Sequence, residues 1–264
     1  MSADPAPAVD RPHAHWLLYI VVAMLACSIA AYFLDLRLYT HLLGFRWGPK
    51  AEVPLMNLRG NDLAEAEGQL ASSSRWGGSI ALGAIAGALA LGLCLADAVS
   101  LRKGAAFALS PVGMLVGAAG GAAGGYLATH MHQRFEMTTG PGLTMTQGIM
   151  LQTAAWLCAG LGVALGVWIS SLGRRSLVDT LFGGLLAGLL VGIVYPPLVS
   201  QFYPNVNTDR LFPDVGYFNT TAVPFKNFAF EFWAIVPGAL FALVLGLLGR
   251  RHPKIESAPA PAAE

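Results

Sequence analysis

Six stretches of this chain are long, apolar and free of Asp, Glu, Lys and Arg, and each is bordered by charge. They lie at about 16–34, 76–97, 107–130, 148–172, 180–200 and 232–250, with the bordering charge at the edge of some. A run of about 20 such residues matches the hydrocarbon thickness of a bilayer as a helix. A helix satisfies its own backbone N–H and C=O groups, which lipid cannot do. Composition points the same way. The chain is 55% hydrophobic and 12% charged, against about 25% charged in a soluble domain. That excludes a water-soluble globule and extensive disorder. A net charge of +1 argues against nucleic acid as a partner.

A transmembrane β-barrel would need short segments that alternate apolar and polar residues. Residues 82–96 and 181–195 are apolar on every side. The expected fold class is therefore an all-α membrane protein. Six transmembrane helices form a tight, Gly-mediated bundle over 15–251, with a small extracytoplasmic cap of loops.

Orientation follows from Lys and Arg in short connections. Arg102 and Lys103 follow the second helix, Arg174 and Arg175 the fourth, and Arg250 and Arg251 the sixth. These stops fall on one side of a six-helix bundle, together with the N-terminus. That side is expected to be the cytoplasm, with both termini inside. The outer connections are 35–75, 131–147 and 201–231. Their basic residues count less, because long loops translocate largely regardless of charge. The tails, 1–14 and 252–264, are rich in Pro and Ala without an apolar period, and are expected to be disordered. Compact basic turns between Ala/Gly-rich helices suggest a bacterial inner membrane.

Cys27, Cys94 and Cys158 all lie in apolar stretches, so no structural disulfide is expected. The segment Met24-Leu25-Ala26-Cys27 loosely resembles the lipobox of bacterial lipoproteins. The apolar run continues to Leu34, however, where a cleaved lipoprotein turns polar, so a retained first helix is the better reading.

The chain carries a weak internal repetition. Arg102 to Arg174 is 72 residues and Arg174 to Arg250 is 76. After each of the first two basic stops comes a glycine-spaced helix. One has Gly113, Gly117, Gly121 and Gly125; the other has Gly184, Gly188 and Gly192. Residues four apart share a helix face, and glycine there lets another backbone approach closely. Helices two–three and four–five thus read as tandem copies. Helix six resembles the first half of a third copy. Helix one is then an orphan, or the missing second half displaced to the front. Static packing explains the glycine faces without invoking a pore or a sliding gate.

An ionisable residue at mid-membrane is a functional-site hypothesis by default. None of the six apolar cores contains one. Asp97 and Asp179 sit near cytoplasmic ends, where Arg102 or Arg174 can neutralise them. This argues against ion-coupled transport and voltage sensing. Pro196-Pro197 and Pro237-Gly238 can interrupt helices, but helix-end or kink geometry accounts for both. His130 and His132, followed by Glu136, Met137 and Met145, offer weak metal ligands, with His41 from the first outer loop. Interfacial placement is the simpler reading. No cofactor is expected. There is no P-loop, GxSxG or HExxH motif.

The outer loops hold most of the polar sequence. Residues 201–231 mix eight Phe and Tyr residues with turn-forming prolines, and 60–71 suit a short helix with an acidic face. The leading expectation is a non-enzymatic membrane protein that scaffolds or binds an extracytoplasmic envelope partner through these loops. Lipid would surround it, and glycine faces also admit an oligomer. The alternative is a channel or facilitator for a small or neutral solute.

Overall fold

The computed structural model describes residues 14–34, 57–101, 104–140, 143–172, 174–202 and 226–248. Six helices cover almost all of them, and there is no strand among the described residues. They are α1 (Ala14–Phe33), α2 (Asn61–Leu101), α3 (Gly104–Thr139), α4 (Met145–Ser170), α5 (Leu177–Phe202) and α6 (Lys226–Leu248). Both tails, the segment 35–56 and the aromatic segment 203–225 lie outside the described residues.

Four helices are long and apolar enough to cross a membrane: α2, α3, α4 and α5. The two others contribute shorter apolar stretches, Leu17–Phe33 and Trp233–Leu248. α5 and α6 run on through Pro196, Pro197 and Pro237. Those prolines therefore do not divide their helices.

Helix extends into two of the expected outer loops. α2 begins at Asn61, so 61–75 of the expected 35–75 loop is helical and takes in the short acidic helix expected at 60–71, while 35–56 lies outside the described residues. α3 continues to Thr139 and α4 starts at Met145, which shortens the expected 131–147 loop to a tight link. Charge marks where a helix leaves hydrocarbon, and it does not end the helix. Residues 61–75 are rich in Ala, Leu, Glu and Gln, which propagate a helix in water as well. At 41 residues, α2 is roughly 60 Å long, about twice the hydrocarbon thickness. Its extension is stitched to that of α3. Gln133 Nε2 donates to the Ala71 carbonyl at 2.9 Å, and Gln133 Oε1 accepts from Arg75 Nε at 2.9 Å.

Local signals set the turns. Gly140, at φ 86°, closes α3, and its N–H donates to the Glu136 carbonyl. Thr144 then caps α4 in a capping box with Gln147. At the other end of α4, Leu172 has φ 56°, unusual for a side chain branched beyond Cβ. Ser176 follows and accepts from the Asp179 N–H at the start of α5.

The helices pack in a closed ring, each against its neighbours in sequence, with α6 against α1 and α2 touching α4 across the middle. Leu82, Ile85, Leu89 and Leu93 of α2, Trp156 and Val163 of α4, and Trp233 and Phe241 of α6 are fully buried. Trp156 fills the centre, with ring centroids 5.6 Å from Trp233 and 6.2 Å from Phe241.

Candidate functional site

The close contacts between helices come first, because they place everything else. An added Cβ at Gly121 would collide with the Leu82 carbonyl oxygen, and one at Gly125 with that of Gly78. One at Gly117 would lie 2.5 Å from Ala90 Cβ, and one at Gly113 2.6 Å from Cys94 Sγ. All four glycines thus lie against α2. The other face of α3 is equally tight against α4: a Cβ at Gly120 would lie 2.6 Å from Gly162 Cα, and one at Gly124 would meet the Ala155 carbonyl. On α5, Gly184, Gly188 and Gly192 meet Gly160, Trp156 and Thr153 of α4. In every case the opposing group is backbone or a small side chain.

At one end of this framework a charged pair is buried. Asp97, near the end of α2, is 2% exposed, and Arg175, in the α4–α5 turn, is 7% exposed. Arg175 Nε donates to Asp97 Oδ2 and Nη2 to Oδ1, each at 2.9 Å. This fork-to-carboxylate geometry is the strongest form of the interaction. Arg175 Nη1 also donates to the Leu245 carbonyl of α6 at 3.1 Å, and Nη2 to Tyr19 Oη of α1 at 3.2 Å. The guanidinium carbon lies 5.7 Å from the centre of the Tyr19 ring, within cation–π range. Asp97 is thereby paired from across the bundle, by Arg175; Arg102, the partner the sequence suggested, lies outside the described residues. Arg175 faces inward, whereas its sequence neighbour Arg174 is exposed.

Before the α4–α5 turn, the Ser170 and Ser171 hydroxyls donate to the Val167 and Trp168 carbonyls of α4. Leu172, three residues before Arg175, takes a left-handed conformation. Sequence reasoning missed the pair and Tyr19. Asp97, placed at the end of an apolar run, was the available signal.

The remaining candidate positions do not converge. Arg102, Lys103, Arg250, Arg251 and His41 lie outside the described residues. His132 Nδ1 approaches Glu136 Oε2 at 3.4 Å one helical turn away. His130 Nδ1 is buried without a hydrogen-bond partner among the described residues. No group of three or more His, Cys, Asp or Glu able to hold a metal is present among those residues. Within α4, Gln152 is fully buried and accepts from Trp156 Nε1 at 3.2 Å. Cys27 and Cys94 are buried and unpaired thiols, and Cys158 is also free.

Apolar helices of this length define the class: a helical protein compatible with integration into a membrane. No family model, curated protein or solved structure matches the chain.

Proposed function

We propose that this chain is a six-span integral membrane protein with both termini in the cytoplasm. In this reading it is non-enzymatic, and it scaffolds or binds an envelope partner through its outer end. The observation that carries the scaffold reading is how the glycine faces are occupied. A conduit needs polar groups along a path through the hydrocarbon layer, to replace the water a solute sheds. The glycine faces of α3 and α5 lie against neighbouring backbone, and Trp156, Trp233 and Phe241 fill the middle. The buried charges at Asp97 and Arg175 answer one another, which fits a structural pair better than an ion site. The side chains Leu17, Val21, Leu25 and Ile29 recur every four residues along α1 and are half exposed, as suits a face turned to lipid.

The outer end is the place for a partner. There α2 and α3 extend together beyond the length a bilayer requires, and Asp62, Glu65 and Glu67 are exposed. Reconstitution tests the central claim. Purified protein in liposomes should neither conduct ions nor speed glycerol-sized solute entry above empty vesicles. A flux altered by Gly121→Leu or Pro237→Ala would replace the scaffold by the channel reading. Removing 206–222 should leave the helices inserted and abolish binding to the partner. Topology is tested by reporter fusions. Fusions after Leu101 and Leu172 should report cytoplasm, and fusions at Thr139 and Asp214 the outside. A cytoplasmic signal at Asp214 would sink the six-span arrangement.

A further inference from the structure

The two glycine-spaced hairpins share one register. Gly121 meets Leu82 and Gly192 meets Thr153. The step from Leu82 to Thr153 equals the step from Gly121 to Gly192, 71 residues in each case. Gly117 and Gly188 keep the same step, with their contacts at Ala86 and at Trp156 and Leu157. In both hairpins the first helix is the more buried: α2 exceeds α3, and α4 exceeds α5. The second helix lies outside it.

α6 and α1 complete this pattern although they stand at opposite ends of the chain. They pack against each other, while α6 also touches α5 and α1 touches α2, which closes the ring. α6 sends Trp233 and Phe241 to the centre, as a first helix does, and α1 turns Leu17, Val21, Leu25 and Ile29 outward, as a second helix does. On α1 the fully buried positions Ala23, Cys27 and Ala31 fall four apart, the spacing of the glycines on α3 and α5. The glycine of this pair is on α6: a Cβ at Gly238 would lie 3.0 Å from Cys27 Sγ.

The glycine thus sits on the first helix here, whereas the four-spaced glycines of the other two pairs sit on the second, and a larger difference lies at the end of the bundle. A chain turn joins α2 to α3 and α4 to α5 at the end of the bundle where Arg175 lies. No such turn can join the end of α6 to the start of α1, which are far apart in sequence. Arg175 reaches this junction. It donates to the Leu245 carbonyl near the end of α6 and to Tyr19 Oη near the start of α1, while Asp97 of α2 holds its other edge. We infer that α6 and α1 form a third, permuted hairpin, and that Arg175, anchored by Asp97, is the non-covalent clasp that takes the place of its missing turn. Arg suits this role because its planar fork spans three partners at once, which a lysine ammonium cannot match.

A covalent bond between α6 and α1 should make the clasp dispensable, and this gives the test. Gly238→Cys puts a new thiol beside Cys27, since the added Cβ lies 3.0 Å from Cys27 Sγ and 3.4 Å from its Cβ, close to disulfide dimensions. The bond is formed with iodine, which takes the two electrons released by the two thiols. Cys94→Ala and Cys158→Ala remove competing partners. Melting is followed on purified full-length protein in detergent, reduced and oxidised, with Arg175 or with Arg175→Gln. In the reduced state, Arg175→Gln should lower the melting temperature by about 10 °C, as expected for breaking a buried pair in a chain of this size. Oxidation should restore at least half of that loss, and should raise the melting temperature far less when Arg175 is present. Equal stabilisation of both forms by the bond would mean that Arg175 does not act by holding α6 to α1, and would overturn the proposal. So would an unchanged melting temperature in reduced Arg175→Gln. If Arg175→Gln does not accumulate, Arg175→Lys carries the same comparison with a smaller loss. A clasp that fails this test leaves the liposome result untouched.

Discussion

The α2–α3 hairpin and the α6–α1 pair solve one problem by different means. Between α2 and α3, Gly117, Gly121 and Gly125 bring backbone onto backbone, and Gly113 lies against Cys94 Sγ. Between α6 and α1, the tightest glycine approach is a Cβ-to-sulfur distance of 3.0 Å, and a buried ion pair sits at the end. In lipid there is no hydrophobic drive between apolar helices, so close packing and polar contacts must hold them together. Glycine supplies dispersion spread over many atoms. Arg175 supplies a few strong contacts at one place. The difference teaches that one pair is in close contact along its length, whereas the other has its polar contacts gathered at one end.

The largest expected effect breaks the pair in close contact along its length. Gly121→Leu forces α3 from the Leu82 carbonyl and should cost about 3 kcal/mol or more, the upper range for overpacking, read as loss of thermal stability in detergent. Gly188→Leu should do the same to the α4–α5 hairpin. Gly238→Leu should cost less, because a Cβ there lies 3.0 Å from Cys27 Sγ, which can shift, and no nearer than 3.3 Å to backbone, at the Ala23 carbonyl. Equal losses at Gly121 and Gly238 would erase the contrast between the two pairs.

Asp97→Ala tests the polar contacts at the end of the other. It leaves Arg175 buried without its carboxylate, a change that typically costs about 3–5 kcal/mol. Replacing both partners by apolar residues, Asp97→Leu with Arg175→Met, removes the unpaired buried charge but also the contacts to Leu245 and Tyr19, so it should recover only part of that loss. A double variant as stable as the unaltered protein would show that those contacts contribute nothing beyond the charge. Denaturation of the three proteins in one detergent makes the comparison.

The smallest effect is a control within α6. A Cβ at Gly246 would have nothing within 4 Å. Gly246→Ala should therefore be neutral, or stabilising by up to about 1 kcal/mol through the lower flexibility of alanine in a helix. Gly117→Ala, by contrast, should destabilise, since its new methyl meets Ala90 Cβ and the Ala86 carbonyl. Equal behaviour of the two would show that α3 does not lie against α2 at Gly117.

Much of this architecture was legible in the residues. Uncharged apolar runs are visible one by one, because the membrane requirement acts on a single segment, and helices form over all six. The spacing of Gly113, Gly117, Gly121 and Gly125 named a smooth face, because a face depends only on the 3.6-residue turn. Which helix would cover it was not legible. Residues 60–71 read as a short acidic helix, but not as the start of α2; the extension of α3 over 131–139 was not legible either, since a helix that leaves hydrocarbon loses its apolar signal while keeping its hydrogen bonds. The partner of Asp97 was least legible of all. Arg102 stands five residues away in sequence, and Arg175 stands 78 away. Sequence by itself determined that the chain forms apolar helices with glycine faces, since both properties belong to local segments. Only the tertiary structure decided that α6 meets α1 and that Arg175 turns inward, because both depend on how the ring of helices closes, and ring closure is a property of no single segment.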